Sequence, residues 1–302
     1  MPKKHIFLAL FLQLPTILNF KIMNKIKYII MLGIIAILYS CTEKMDIELE
    51  DSYTRLVVEG RFSTDTTIHQ VRLTKTSSYF YNNPAPPVRG AIVTISDGVN
   101  TIVLTENAIH PGIYETPANT YGVIGKSYQL FIKNVDIDNN GVKEEYSANS
   151  TIYSVNTIDS IAMKYNTHFD AWEVKVYVFD PPTEDYYLFN IYKNNKLITD
   201  TITEPLVVDD RLYNGNYTNG IAVGYLRDRK PDEMAYVGDT IGLEIWRITK
   251  EFYQFMFELK NTVRPSTPLF SGPPANVKGN ISNGAVGYFA AYSISRKKGV
   301  IK

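Results

Sequence analysis

The chain has 302 residues, with 31 Lys and Arg balanced by 31 Asp and Glu. That balance gives no electrostatic reason for binding nucleic acid or an anionic membrane surface. A single cysteine excludes an internal disulfide, and 22 Tyr with many Thr and Val favour strands over helices.

The first forty residues read as a leader. Met23-Asn24-Lys25-Ile26-Lys27 is basic, and Tyr28 to Leu38 is apolar and uncharged. That is the order of a secretory signal peptide, and the run is shorter than the roughly 20 residues a comfortable spanning helix needs. It ends in Leu38-Tyr39-Ser40-Cys41. This resembles a lipobox, which implies cleavage before Cys41, diacylglycerol on its thiol and acylation of the new amino terminus. A lone cysteine in an exported chain asks for such an explanation, and several acyl chains at one end anchor stably where one does not. A second apolar run, Ile6 to Leu14, precedes the better signal. Either translation starts at Met23, the favoured reading, or the leader is doubled. Residues 1–40 are set apart from the fold. The remaining 262 residues hold 26 Lys and Arg against 31 Asp and Glu, a formal charge of −5.

Residues 41–52 carry four acidic side chains between Asp46 and Asp51, which a core does not accept. They read as a lipidated tether. In Bacteroidetes lipoproteins, acids shortly after the cysteine resemble a signal for surface display.

From Arg55 the pattern is short strands. Leu56–Phe62, His69–Thr74, Ala91–Ile95, Thr101–Leu104 and Ser127–Ile132 are expected strands, with a turn at Asp97-Gly98. They predict an Ig-like β-sandwich over 53–152. A second β-rich domain is expected over 153–302. Trp172 to Val178 alternates strictly, and Tyr186–Tyr192, Thr240–Trp246 and Val286–Ile294 follow. Glu204 to Pro231 reads as a long loop or irregular strands. Phe252, Phe255, Met256, Leu259 and Val263 form the stripe of an amphipathic helix, about 249–263, stopped by Pro265 and Pro268. The fold class is therefore mainly β with one helix near the C-terminus.

Four segments carry a family resemblance: Val57-Val58-Glu59-Gly60, Ile158-Asp159-Ser160-Ile161, Phe179-Asp180-Pro181 before Glu184-Asp185-Tyr186-Tyr187, and Asn280 to Phe289. In order and spacing they resemble the Bacteroidetes lipoprotein family DUF4249, a domain of unknown function, over nearly the whole chain after Cys41. The resemblance implies an outer-membrane lipid anchor and frequent association with TonB-dependent transporters. It carries over no catalytic residue.

His5, His69, His110 and His168 are scattered without metal-site spacing. There is no G-x-S-x-G elbow, Walker loop or GxGxxG. Adjacent acids such as Asp209-Asp210 and Glu144-Glu145 read as solvated. No catalytic residue and no cofactor is expected. One calcium candidate is Asp136, Asp138, Asn140 and Glu144, the first part of an EF-hand-like ligand set. Its twelfth position is Ser147, which cannot chelate, and Asn140-Gly141 is itself a hairpin signal. Tyr79, Phe80 and Tyr81, in a Ser/Asn/Pro-rich loop, are candidate ligand-stacking residues, or they tuck over the sandwich edge. Thr66, Ser160, Thr201 and Thr240 sit in Asp-Ser/Thr-aliphatic/Thr triplets that resemble an O-glycosylation sequon.

The function expected is a non-enzymatic accessory or binding lipoprotein working with a TonB-dependent transporter. The alternatives are a stand-alone glycan- or peptide-binding lipoprotein and an enzyme with an unrecognised site near Asp209–Asn219, which converging acids there would favour.

Overall fold

Alternation along the chain is what makes the strands. In β1 (Leu56–Ser63) the side chains of Leu56, Val58 and Phe62 are fully buried while Glu59 and Arg61 are exposed, the period-two pattern of a half-buried strand. β2 (Gln70–Lys75) repeats it with Val71 and Leu73 inward. They are followed by β3 (Ile92–Ser96), β4 (Thr101–Glu106), β5 (Ile113–Glu115), β6 (Ser127–Val135) and β7 (Glu144–Thr151). Each is antiparallel to the next in the order β1-β2-β5-β4-β3-β6-β7. Asp97 closes the β3–β4 turn by accepting the amides of Val99 and Asn100 at 3.0 and 2.7 Å, and Gly98 takes the left-handed φ of 86° there. This computed structural model describes residues 54–77, 84–227, 231, 233–263 and 277–302, with Lys25 and Lys27.

The second half of the chain builds two facing sheets. β8 (Ser160–Asn166), β9 (Ala171–Tyr177) and β13 (Ile221–Arg227) form one, in the order β13-β9-β8. The other contains β10 (Tyr186–Lys193), β11 (Lys196–Leu197), β12 (Leu206–Asp209), β14 (Thr240–Ile248) and β15 (Val286–Val300). β14 shows why both of its faces are covered. Ile241, Leu243 and Ile245 pack toward Val174 and Val176 of β9, while Trp246 and Ile248 point the other way. Helix α1 (Lys250–Val263) lies on that second face, burying Phe252 and Met256. Thr249 caps it, its hydroxyl accepting the Phe252 amide at 3.2 Å. The expected stripe is right at its start. At its end Val263 is exposed. Pro265 and Pro268 lie outside the described residues. The Glu204–Pro231 stretch contains β12 and β13, whose short alternation is broken by a bulge at Ala222/Gly224.

β15 ties the halves together. Val286 to Tyr292 runs parallel to β1, and Ser293 to Val300 then runs antiparallel to β14. Phe289 and Ala291 thus enter the first core, and Ile301, just beyond the strand, enters the second. The chain passes from one core to the other between Ile152 and Ile158, near the expected boundary, yet Tyr53–Lys302 is one compact unit. None of the described helices is long and apolar enough to cross a membrane.

Candidate functional site

Three strand ends converge on a buried acid cluster. Tyr186 of β10 faces Asp209 of β12 in antiparallel register. The next pair outward is therefore Asp185 and Asp210. They are joined by Asp185 N–H to Asp210 Oδ2 at 2.8 Å and Asp210 N–H to Asp185 O at 3.1 Å. The segment after β9 delivers Asp180, held by its own amide to Asn216 O at 2.9 Å. One carboxylate oxygen from each of the three lies within 4.8 Å of the others. Asp180, Asp185 and Asp210 are only 5 %, 3 % and 3 % exposed, so their charges cannot be left to water.

The compensation is partial. Arg247 of β14, itself buried, pairs with Asp185 Oδ1 and also donates to the carbonyls of Ile248 and Glu184 at 2.6 and 3.2 Å. Asp185 Oδ2 accepts from Thr183 Oγ1 at 3.0 Å. The Tyr187 hydroxyl is 2.8 Å from Asp180 Oδ1 and 3.2 Å from Asp185 Oδ2, so its single proton serves one of them at a time. Asp180 Oδ2 and Asp210 Oδ1 receive no hydrogen bond among the described residues. Burial, with Asp210 and Asp185 nearby, pushes the Asp180 carboxyl from 3.8 up to about 6 against the opposing pull of the Tyr187 hydroxyl. Burial also raises Asp210. Asp180 and Asp210 line a cavity of about 40 Å³, and Asp185 and Arg247 line a wider depression of about 500 Å³.

A pH dependence follows. The folded pKa of Asp180 is raised, so its contribution to stability is fully present below pH 3.8 and is lost as pH rises through about 6. In metal-free buffer, Asp180→Asn gains stability relative to wild type on going from pH 4 to pH 8. Melting curves across that range check it; a difference independent of pH contradicts the assignment.

The second feature is an open groove of about 410 Å³ over β1, β2, β14 and β15. Trp246 and Tyr292 stack in it, with ring centroids 4.2 Å apart and planes at 14°. Arg61 sits 5.9 Å above the Trp246 ring. Arg296 donates to both oxygens of Asp65 and, through Nε, to Glu244 Oε1 at 2.6 Å, while Trp246 Nε1 donates to Glu244 Oε2 at 3.0 Å. These charge-assisted bonds fix the groove wall. A neighbouring depression of about 230 Å³ shares Tyr192, Glu244 and Arg296 with it. His69 also lines the groove; burial lowers its pKa, and its Nε2 lies 3.1 Å from Asp65 O.

Most of the candidates from sequence lie elsewhere. Cys41, Tyr79, Phe80 and Tyr81 fall outside the described residues. Asp136, Asp138, Asn140 and Glu144 sit in the β6–β7 hairpin. Their side chains accept the amides of Gly141, Asn140, Val142 and Ile137 respectively at 2.7–3.2 Å. These bonds make a turn. Thr66, Ser160 and Thr201 are exposed, and Thr240 is half-buried at the start of β14. Asp209-Asp210 is not a solvated pair: Asp209 binds Arg211 at 2.8 Å, and Asp210 points inward. The burial follows from its place just past a strand end that pairs with β10, a non-local fact. Asp180 and Asp185 lie in the segments that carried the family resemblance, but their convergence was not legible there.

No curated protein matches the chain. The model of one family, described as Domain of unknown function (DUF4249), matches residues 42–298. Since that match covers most of the sequence, the chain belongs to the DUF4249 family.

Proposed function

We propose that this chain is a lipoprotein tethered to the outer membrane through Cys41, more often facing the cell surface than the periplasm. Its body is a non-enzymatic binding or accessory subunit that works with a TonB-dependent transporter in nutrient uptake or envelope assembly; the acids converging at Asp180, Asp185 and Asp210 count toward the alternative of an enzyme with an unrecognised site and are read below as a cation site. The observation that carries the binding role is the open groove beside Trp246 and Tyr292, whose volume lies within the range of ordinary ligand pockets. Its wall is held in place by the Asp65–Arg296–Glu244 bonds before any ligand arrives, which lowers the ordering cost of binding. The basic-then-apolar leader ending at Cys41 supports the anchor.

Cys41→Ala tests the anchor. The wild-type chain incorporates labelled palmitate and sediments with outer membrane; the variant does neither. A variant that still sediments and still takes up label removes the anchor from the proposal. Affinity capture from native membranes tests the partner: a TonB-dependent transporter is recovered with the wild-type chain, and its repeated absence counts against the accessory role.

A second reading is a stand-alone binder of glycans or peptides. The open polar groove favours it, with the stacked and almost wholly buried Trp246 and Tyr292 forming a rigid part of its lining. Under that reading the Tyr79, Phe80 and Tyr81 loop contributes to binding. Replacing all three with Ala then abolishes ligand retention without releasing the chain from the membrane.

A further inference from the structure

The acid cluster has a charge problem that the protein itself does not solve. Three buried carboxylates, Asp180, Asp185 and Asp210, face one guanidinium, Arg247. That leaves an excess of two negative charges if all three are ionised. Buried charge is costly unless it is paired or coordinates a metal. The two oxygens without a hydrogen bond, Asp180 Oδ2 and Asp210 Oδ1, belong to side chains at least 95 % buried, and both residues line the same small cavity. Asp185 differs: its oxygens are taken by Arg247, Thr183 and Tyr187.

We propose that Asp180, Asp210 and Asp185 hold a hard divalent cation, calcium or magnesium. Asp180 Oδ2 and Asp210 Oδ1 are its direct ligands, and Asp185 deepens the negative field behind them. One doubly charged ion neutralises the excess that Arg247 leaves. The donors are all oxygen, without a His or Cys, which suits hard cations rather than zinc or copper. A cavity of about 40 Å³, lined by both residues and otherwise largely by apolar side chains such as Val176 and Phe189, has room for a water-sized occupant. The hydroxyl of Tyr213 and the side-chain amide of Asn156, both lining the cavity, are the further oxygen donors of the right kind. The site ties together the segment after β9, the start of β10 and the end of β12, so the ion would act as a clasp between the two facing sheets of the second half. This inference is independent of the anchor and of any transporter partner.

The test uses the whole chain in detergent, stripped with chelator and titrated with calcium chloride or magnesium chloride in a calorimeter. Expected is saturable one-to-one binding of one of the two ions, with a dissociation constant at or below about 1 mM, the weak end for extracellular calcium sites. The ion should raise the melting temperature and chelator should reverse the rise. The variant Asp180→Asn/Asp210→Asn, nearly isosteric and checked for folding by its own melting curve, loses at least about tenfold in affinity. Asp136→Asn/Asp138→Asn in the β6–β7 hairpin leaves binding unchanged. Two results overturn the proposal. One is no saturable binding of either ion to the wild-type chain, in which case the cluster is neutralised by protons. The other is binding that survives Asp180→Asn/Asp210→Asn or disappears with the hairpin variant. Should the double variant fail to fold, Asp180→Asn and Asp210→Asn singly make the same comparison, and binding undiminished in both overturns the proposal.

Discussion

Gly287→Ala is expected to destabilise the chain by more than about 3 kcal/mol, the range reached when a special backbone position and a tight contact are lost together. Gly287 has φ of 99°, in the left-handed region that side chains avoid. A Cβ built there would lie 2.0 Å from the Val58 carbonyl oxygen and 2.9 Å from its carbon. Both are backbone atoms of β1, which cannot swing aside. On the other side, a Cβ on Gly279 would lie 2.0 Å from the Gly287 carbonyl oxygen, so backbones crowd together at this point. Val58 and Gly287 are register partners in the parallel β1–β15 pair, the seam through which β15 joins the cores. The effect is therefore global unfolding and not local fraying. Gly284→Ala is the control. Gly284 also has positive φ, 71°, but no atom lies within 4 Å of its built Cβ, so only the conformational cost of about 1–2 kcal/mol applies. Urea denaturation of both variants separates the two terms; equal midpoints would show that the crossing is not tight.

Arg247→Met should cost about 3–5 kcal/mol, the usual penalty for removing one partner of a buried ion pair. The loss is larger than a surface ion pair could give, because Asp185 is 3 % exposed and cannot be rehydrated without opening the sheet. The carbonyls of Glu184 and Ile248 lose their donor at the same time. The guanidinium also lies 5.1 Å from the Tyr153 ring and 5.8 Å from the Tyr187 ring, contacts that Met keeps in part through its apolar stem. Adding Asp185→Asn to Arg247→Met removes the stranded charge and should recover a substantial share of the loss. A double-mutant cycle read from urea midpoints isolates that coupling. If the single variant costs less than about 1 kcal/mol, the pair behaves like an exposed one and the account of the cluster fails.

The same two places bring together segments far apart in the chain. Val57 to Gly60 and Asn280 to Phe289 meet at the β1–β15 seam, where a Cβ on Gly60 would lie 2.9 Å from the Phe289 ring. Phe179-Asp180-Pro181 and Glu184 to Tyr187 meet at the acid cluster. Ile158 to Ile161 enters β8, with the Ile158 amide fastened to Ser295 Oγ of β15 at 3.0 Å. Each motif is a junction between elements.

The sequence by itself determined what is local. The period-two burial of β1, β2 and β6, the Asp97-Gly98 turn and the Phe252–Met256 stripe of α1 are written within windows of a few residues. In those windows, alternation and turn chemistry dictate the backbone. β5, β7, β8 and β11 carry no strand signal of their own, and β12 and β13 fall in the stretch expected as a long loop or irregular strands. Three of them are short, bulged or little buried on their own (Ile113–Glu115, Leu206–Asp209 and Ile221–Arg227), and they are held by their neighbours. Only the tertiary structure decided that β15 returns to lie parallel to β1, because a parallel pair needs a long crossover whose ends carry no local mark. It also decided that Asp210, next to an arginine-paired Asp209, turns inward beside Asp185 and Asp180. That placement depends on the β10–β12 register and on the segment following β9, and hydrogen bonding between distant strands sets both.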